Sequence, residues 1–143
     1  MKTRYTSLVK VKKNIMQKSE RALEFANIKL HNAEAALETS YKELQDIQTP
    51  LQGKITAFLS ARTLLDSQRA LISHNQEWLE YANKDLLQAK KQLKIDMIEF
   101  EKFQYLEYQE REKEHKIRKQ QEAKELDEIA LITHARKEKI RFA

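Results

Sequence analysis

Large apolar residues recur at intervals of seven in two separate runs, and this repeat constrains the fold of the 143-residue chain more than any other feature. The first run is Val9, Met16, Leu23, Leu30, Leu37, Leu44 and Leu51. The second run is Phe58, Leu65, Ile72, Leu79, Leu86, Leu93 and Phe100. Because seven residues return to almost the same side of an α-helix, each run predicts a helix with one apolar seam that packs on a partner helix.

The chain has one proline and one glycine. Pro50 lies just before the last residue of the first run, and Gly53 lies between the two runs. A proline ends a helix and disfavours the helical conformation in the residue before it. The sequence therefore predicts an all-α fold, a long two-helix antiparallel coiled-coil hairpin with a C-terminal helical extension. We expect one domain over residues 1–143, with helix 1 at about 6–48, the turn at about 49–53 and helix 2 at about 54–140. Residues 104–143 would extend beyond the paired region.

The two runs also predict a register. If the hairpin closes between Leu51 and Phe58, Leu44 lies level with Leu65 and Leu30 with Leu79. The intervening seam positions are mostly small on helix 1 and partly polar on helix 2. They are Ala26, Ala33, Ser40 and Ile47 on helix 1, and Ala61, Gln68, Asn75, Ala82, Ala89, Asp96 and Phe103 on helix 2. Polar residues at such positions fix register, whereas Lys12 and Ser19 in the same slot predict fraying toward the N-terminus.

Composition excludes most chemistry. One glycine does not make a phosphate-binding loop, and a chain without cysteine has no disulfide or thiol chemistry. Glu112 and His115 have the Glu-x-x-His spacing of di-metal bundles, but no second such motif is present, so we expect no metal site. A two-helix fold has almost no interior that excludes water, so we expect neither an enzyme nor a bound cofactor. No apolar run reaches the ~20 residues of a membrane span, and the N-terminus lacks a secretory signal.

The N-terminal segment is basic without any acidic residue. Lys2, Arg4, Lys10, Lys12 and Lys13 account for the whole net charge of +5. Such a segment favours an acidic partner surface, although a solvated helix end would have the same composition.

Apolar residues outside the seam indicate where a partner would dock. Leu64, Leu71 and Trp78 lie seven residues apart, and His74 shares a helix face with the last two. They either widen the buried stripe or form an exposed docking strip of the kind in which tryptophan is common. Phe25 and Ile28 fall on the side of helix 1 turned away from the seam. A second apolar stripe beyond the paired region predicts packing against another protein; it consists of Leu126, Ile129, Ala130 and Ile140.

The segment Glu122–Ala130, with the sequence EAKELDEIA, and the later Arg136 resemble the C-terminal pattern of the FliJ family of bacterial flagellar export proteins. The length, the basic N-terminus and the position of the turn are also similar to that family. The resemblance implies a non-enzymatic, cytoplasmic component of the flagellar type III export apparatus, peripheral to the inner membrane at the flagellar base, that serves flagellum biogenesis and motility.

The resemblance further implies three protein partners and no nucleic acid. The chain would bind the ring of the export ATPase FliI in the manner of a rotary-ATPase central stalk, and would link it to the export gate protein FlhA and to export chaperones. His74 matches a family position on the gate-facing surface, and Leu71 and Trp78 share its helix face. Thr63 and Ser67 stand where the family pattern has larger apolar residues. The ATPase-facing end would combine the basic N-terminus with the C-terminal helix; its candidate residues are Lys10, Lys12, Lys13, Leu126, Asp127, Glu128 and Ile129.

Two other readings use the same residues. A generic coiled-coil scaffold or parallel dimer has the same heptads. A basic zipper that binds DNA also places basic residues before a leucine repeat, but it needs several arginines and an asparagine on one helix face. Here Arg4 is the only arginine of the segment, and Asn14 stands alone.

Overall fold

Two long helices account for nearly all of the computed structural model, which describes residues 2–142. Helix α1 is Thr6–Asp46 and helix α2 is Ile55–Phe142. The helices pack against each other, and no strand occurs among the described residues, so the predicted all-α hairpin is confirmed. Because α1 and α2 of one chain occupy each other's seams, those seams are not available for a parallel dimer or for a basic zipper.

Helix α1 ends at Asp46, slightly before the predicted end at about 48. The cause is Pro50, whose ring would clash with the carbonyl of Asp46 if the helix continued. The Ile47 amide instead donates to the Leu44 carbonyl at 3.3 Å, a tightened last turn. Helix α2 begins after Lys54, whose carbonyl accepts from the Ala57 amide at 3.0 Å.

The described residues form two compact units. The turn unit is residues 14–98. The terminal unit combines the N-terminal segment up to Lys13 with the part of α2 from Glu99 onward. The single domain predicted over the whole chain stays a prediction.

The seam of the turn unit is built on small residues. The buried residues of α1 are Ser19, Ala26, Ala33 and Ser40, all seven apart. Ala33 is 0% exposed and Ser40 is 1% exposed, whereas the large heptad residues of α1 are only half-buried on either side of them. This arrangement confirms the predicted seam: the small side chains let the two backbones approach closely, and the large ones cover the contact.

Polar side chains of α2 bond across the seam at three levels. Gln68 Nε2 donates to the Ser40 carbonyl at 2.8 Å, and Asn75 Nδ2 donates to the Ala36 carbonyl at 3.3 Å. Ser19 Oγ donates to Asp96 Oδ2 with both residues buried. The fraying predicted at Ser19 is therefore wrong, because this hydroxyl satisfies a buried carboxylate.

Two of these bonds depart from the predicted register, whereas Gln68, expected level with Tyr41, bonds to the adjacent Ser40. That register places Asn75 level with Glu34 and Asp96 level with Lys13, but their partners are Ala36 and Ser19, both closer to the turn. The non-helical residues 47–54 explain the shift. A non-helical residue spans up to about 3.3 Å, whereas a helical residue rises about 1.5 Å, so a link that leaves the helix early carries the chain farther before it turns back.

Leu51 and Phe58, the heptad residues next to the turn, lie outside the seam. Leu51 is 96% exposed and Phe58 is 39% exposed. Every residue from 51 to 60 is exposed. The heptad pattern predicts that both residues close the seam. They do not, because α1 ends at Asp46 and leaves no helix opposite the first turns of α2.

Gly53 has φ of 144°, and a Cβ at this position would meet nothing within 4 Å. We expect Gly53→Ala to lower the free energy of unfolding by about 1 kcal/mol, because an L-residue at positive φ is strained even without a clash. Urea denaturation followed by circular dichroism measures this change. Gln52→Ala, at the neighbouring position with negative φ, is the control. An equal effect of the two substitutions would contradict the backbone explanation.

Candidate partner-binding surfaces

Side-chain bonds fasten the N-terminal segment to α2 in the terminal unit. Thr6 Oγ1 donates to Glu107 Oε1 at 3.3 Å, and Arg4 Nη2 lies 3.7 Å from Glu110 Oε2. The pairing therefore continues past Gln104, where helix 2 was expected to lose its partner. The register shift accounts for this extension, because it moves the N-terminal segment along α2.

The start of α1 is closed by a reciprocal cap. Thr6 Oγ1 accepts from the Thr3 amide at 2.8 Å, and Thr3 Oγ1 accepts from the Tyr5 amide at 3.2 Å. The two threonines thus satisfy backbone donors that have no partner within the helix. The cap holds Thr6 in place for its bond to Glu107.

The three candidate lysines of this segment have different environments. Lys12 Nζ lies 3.6 Å from Glu99 Oε2 and 5.6 Å from the centroid of the Phe103 ring. Lys10 and Lys13 are exposed, and no carboxylate within residues 2–141 lies within ion-pair distance of either. Lys12 is thus paired with α2, whereas Lys10 and Lys13 are exposed to solvent.

A groove that the sequence did not indicate runs beside Val9. Its other lining residues come from α2 and are Gln104, Glu107, Tyr108 and Arg111. Glu107 is 8% exposed, and Arg111 Nη2 donates to its Oε1 at 2.5 Å. In the sequence, this part of α2 appears only as a dense run of opposite charges. Such a run is typical of a solvated helix and does not indicate a groove.

The docking strip predicted on α2 is exposed in the turn unit. Leu64 is 55%, Leu71 42% and Trp78 39% exposed, so these side chains do not simply widen the buried seam. His74 and Trp78, together with Glu77 and Tyr81, line a shallow depression on this face. Whether a partner occupies the strip stays a prediction.

The outer face of α1 also carries exposed apolar groups. Phe25 and Ile28 are exposed as predicted from their position away from the seam. Lys29 Nζ lies 4.7 Å from the centroid of the Phe25 ring. The lysine covers part of the ring, which reduces the free apolar surface at this point.

From His115 onward, no other part of the described chain covers α2. Every residue from 115 to 141 is exposed. Leu126 is 66%, Ile129 59% and Ile140 78% exposed, and Asp127 and Glu128 lie among them in solvent. The predicted apolar stripe is present on the helix, and the role given to these residues stays a prediction.

Neither a metal-binding cluster nor a bilayer-spanning stretch is found among residues 2–142. No group of three or more His, Cys, Asp or Glu side chains there is arranged to hold a metal ion. Neither helix, over the same residues, includes a stretch apolar enough to cross a bilayer.

A family model described as Flagellar FliJ protein matches residues 1–139. No curated protein and no solved structure gives a significant match.

Proposed function

Because the chain belongs to the FliJ family and is thus a flagellar export component, we propose that it is the stalk-like subunit of its export apparatus. In this role it binds the ring of the export ATPase FliI and connects that ring to the export gate protein FlhA and to export chaperones. The family match over residues 1–139 is the observation that carries the proposal.

The role requires no catalysis by this chain. A single asymmetric hairpin cannot contact all identical subunits of a ring in the same way, so its binding makes their conformations unequal. Differential contact of this kind is sufficient to shift a conformational equilibrium. The charged terminal unit supports the ATPase assignment, because exposed lysines and an uncovered helix offer both charge and apolar contact.

The strip on α2 supports a second contact. Leu71, His74 and Trp78 are exposed on one helix face and suit the gate protein, since buried tryptophan is frequent among residues that dominate interface energetics. Chaperones would bind to apolar surface that these two contacts leave free. The location at the flagellar base follows from these proposed partners.

We expect the chain to co-purify with the FliI-type ATPase of the same bacterium and to raise its ATP hydrolysis rate. Pull-down and steady-state hydrolysis with and without the chain measure both effects. A variant of the chain unfolded by a seam substitution is the control for non-specific binding. Absence of both binding and stimulation at moderate salt would overturn the stalk proposal.

A further inference from the structure

We propose that the groove beside Val9 is the site that receives an acidic helical segment of the ATPase, with Lys10, Lys13 and Arg111 as its cationic groups. The inference rests on the proposed function and specifies which side of the N-terminal segment faces the partner. It assigns Lys12, in contrast, to holding the segment on α2.

Helix geometry separates the lysines onto two sides of Val9. At 100° per residue, Lys12 lies about 60° to one side of Val9, and Lys13 lies about 40° and Lys10 about 100° to the other. The bonds agree with this division. Lys12 contacts Glu99 and Phe103 on one side, whereas Thr6, on the same side as Lys13, bonds to Glu107 in the groove.

The cations on the groove side are not neutralised within the N-terminal segment. The first acidic residue of the chain is Glu20, so no carboxylate lies one helical turn from Lys10 or Lys13. Arg4 and Lys12, by contrast, are each paired with a carboxylate of α2. Of the four cations from Arg4 to Lys13, only Lys10 and Lys13 therefore have no carboxylate partner among the described residues.

The α2 wall of the groove adds groups that suit a carboxylate ligand. Arg111 uses Nη2 for Glu107, and its side chain is 52% exposed, so the other guanidinium donors are free to bind a second carboxylate. Tyr108 is 61% exposed, and its ring offers apolar contact beside that donor. Val9 supplies a small apolar floor.

These groups favour an acidic protein segment over nucleic acid. Glu107 lies in the groove between the cationic groups, so a polyphosphate with a charge at every unit would be repelled there, whereas a helix can place its carboxylates on either side of Glu107. An acidic helix presents carboxylates one turn apart, which matches lysines spaced three residues apart on α1.

Charge reversal at the groove tests the assignment. We expect Lys10→Glu combined with Lys13→Glu to weaken binding to the FliI-type ATPase by about tenfold, mainly through slower association and a smaller salt dependence. Lys18→Glu with Arg21→Glu is the matched control, because it makes the same charge change at the same spacing at exposed positions of α1. Biolayer interferometry at several salt concentrations measures association and dissociation separately.

Substitution of Lys12 distinguishes the two sides of the segment. We expect Lys12→Gln to keep ATPase affinity within about twofold of the unmodified chain, because it loses only contacts to α2. Arg111→Gln should weaken ATPase binding while the control pair leaves it unchanged. Circular dichroism confirms that each variant is folded.

The outcomes separate the inference from the proposed function. If the unmodified chain does not bind the ATPase, the stalk proposal fails and the groove assignment fails with it. If it binds and the Lys10/Lys13 variant binds equally well, or the control pair weakens binding to the same extent, only the groove assignment fails. Binding to duplex DNA that is lost in the Lys10/Lys13 variant would also overturn it.

Discussion

Ala33→Asp is expected to lower the free energy of unfolding by about 3–5 kcal/mol, the cost of a buried charge without a partner. Ala33 is 0% exposed and lies in the middle of the small-residue seam. A carboxylate there has no room between the two closely packed backbones. Urea denaturation monitored by the circular dichroism signal of the helices measures the change.

Ala35 provides the matched control for this substitution. It lies two residues away in α1 and is exposed, so Ala35→Asp has the same helix propensity cost without burial. We expect its effect to stay below about 1 kcal/mol. Similar losses for both variants would show that α1 and α2 do not pack through Ala33.

Ser19→Ala is expected to cost about 1.5–3 kcal/mol, because a hydrogen bond to a buried charged group is lost. Asp96 would keep only the donor from Gln92 Nε2, at 3.1 Å on its own helix. The loss should appear as a lower urea midpoint with an unchanged slope. Ser73→Ala, at an exposed position of α2, should change the midpoint very little.

A double-mutant cycle identifies the partner of the Ser19 hydroxyl. Asp96→Ala removes the carboxylate that needs the donor, so Ser19→Ala should cost much less in that background. The two substitutions are in contact, and their effects should therefore be strongly non-additive. Additive effects would mean that the hydroxyl stabilises the helix pair through some other group.

The seam was predictable from sequence because a seven-residue repeat has a direct physical consequence. Ala26, Ala33 and Ser40 fall on one face of any α-helix, whatever the partner is. Pro50 likewise predicted the end of α1 to within a few residues. Whether a helix forms, and which of its residues face the partner helix, depends on the spacing of residues along the chain. That spacing can be read directly from the sequence.

The register was not predictable in the same way. A heptad repeat shifted along its partner still places apolar residues opposite apolar residues, so several pairings satisfy the pattern. The choice among them depends on how far residues 47–54 carry the chain before α2 begins. Those residues have no repeat that encodes their path, and only the bonds of Asn75 and Asp96 reveal the result.

The groove beside Val9 depends on that register and was missed for the same reason. Tyr108 and Arg111 become neighbours of the N-terminal segment only when α1 lies farther along α2 than the equal runs suggest. The sequence shows that the N-terminal segment has basic residues without acidic ones. It does not show which lysine pairs with α2, because that depends on the position of Glu99. The exposure of a residue on the face of a single helix, such as Trp78, could be considered without knowing the register of the two helices.

The uncovered part of α2, residues 115–141, depends on the pairing that precedes it. Starting a helix is costly because several residues must be ordered for the first hydrogen bond, whereas each added residue costs little. Because α2 is one continuous helix from Ile55, its paired part supplies the ordered turns, and residues 115–141 only extend them. The order of residues 115–141 therefore depends on how far the paired part of α2 reaches: loosening the last contacts of that part would lengthen the stretch that frays without altering any of these residues.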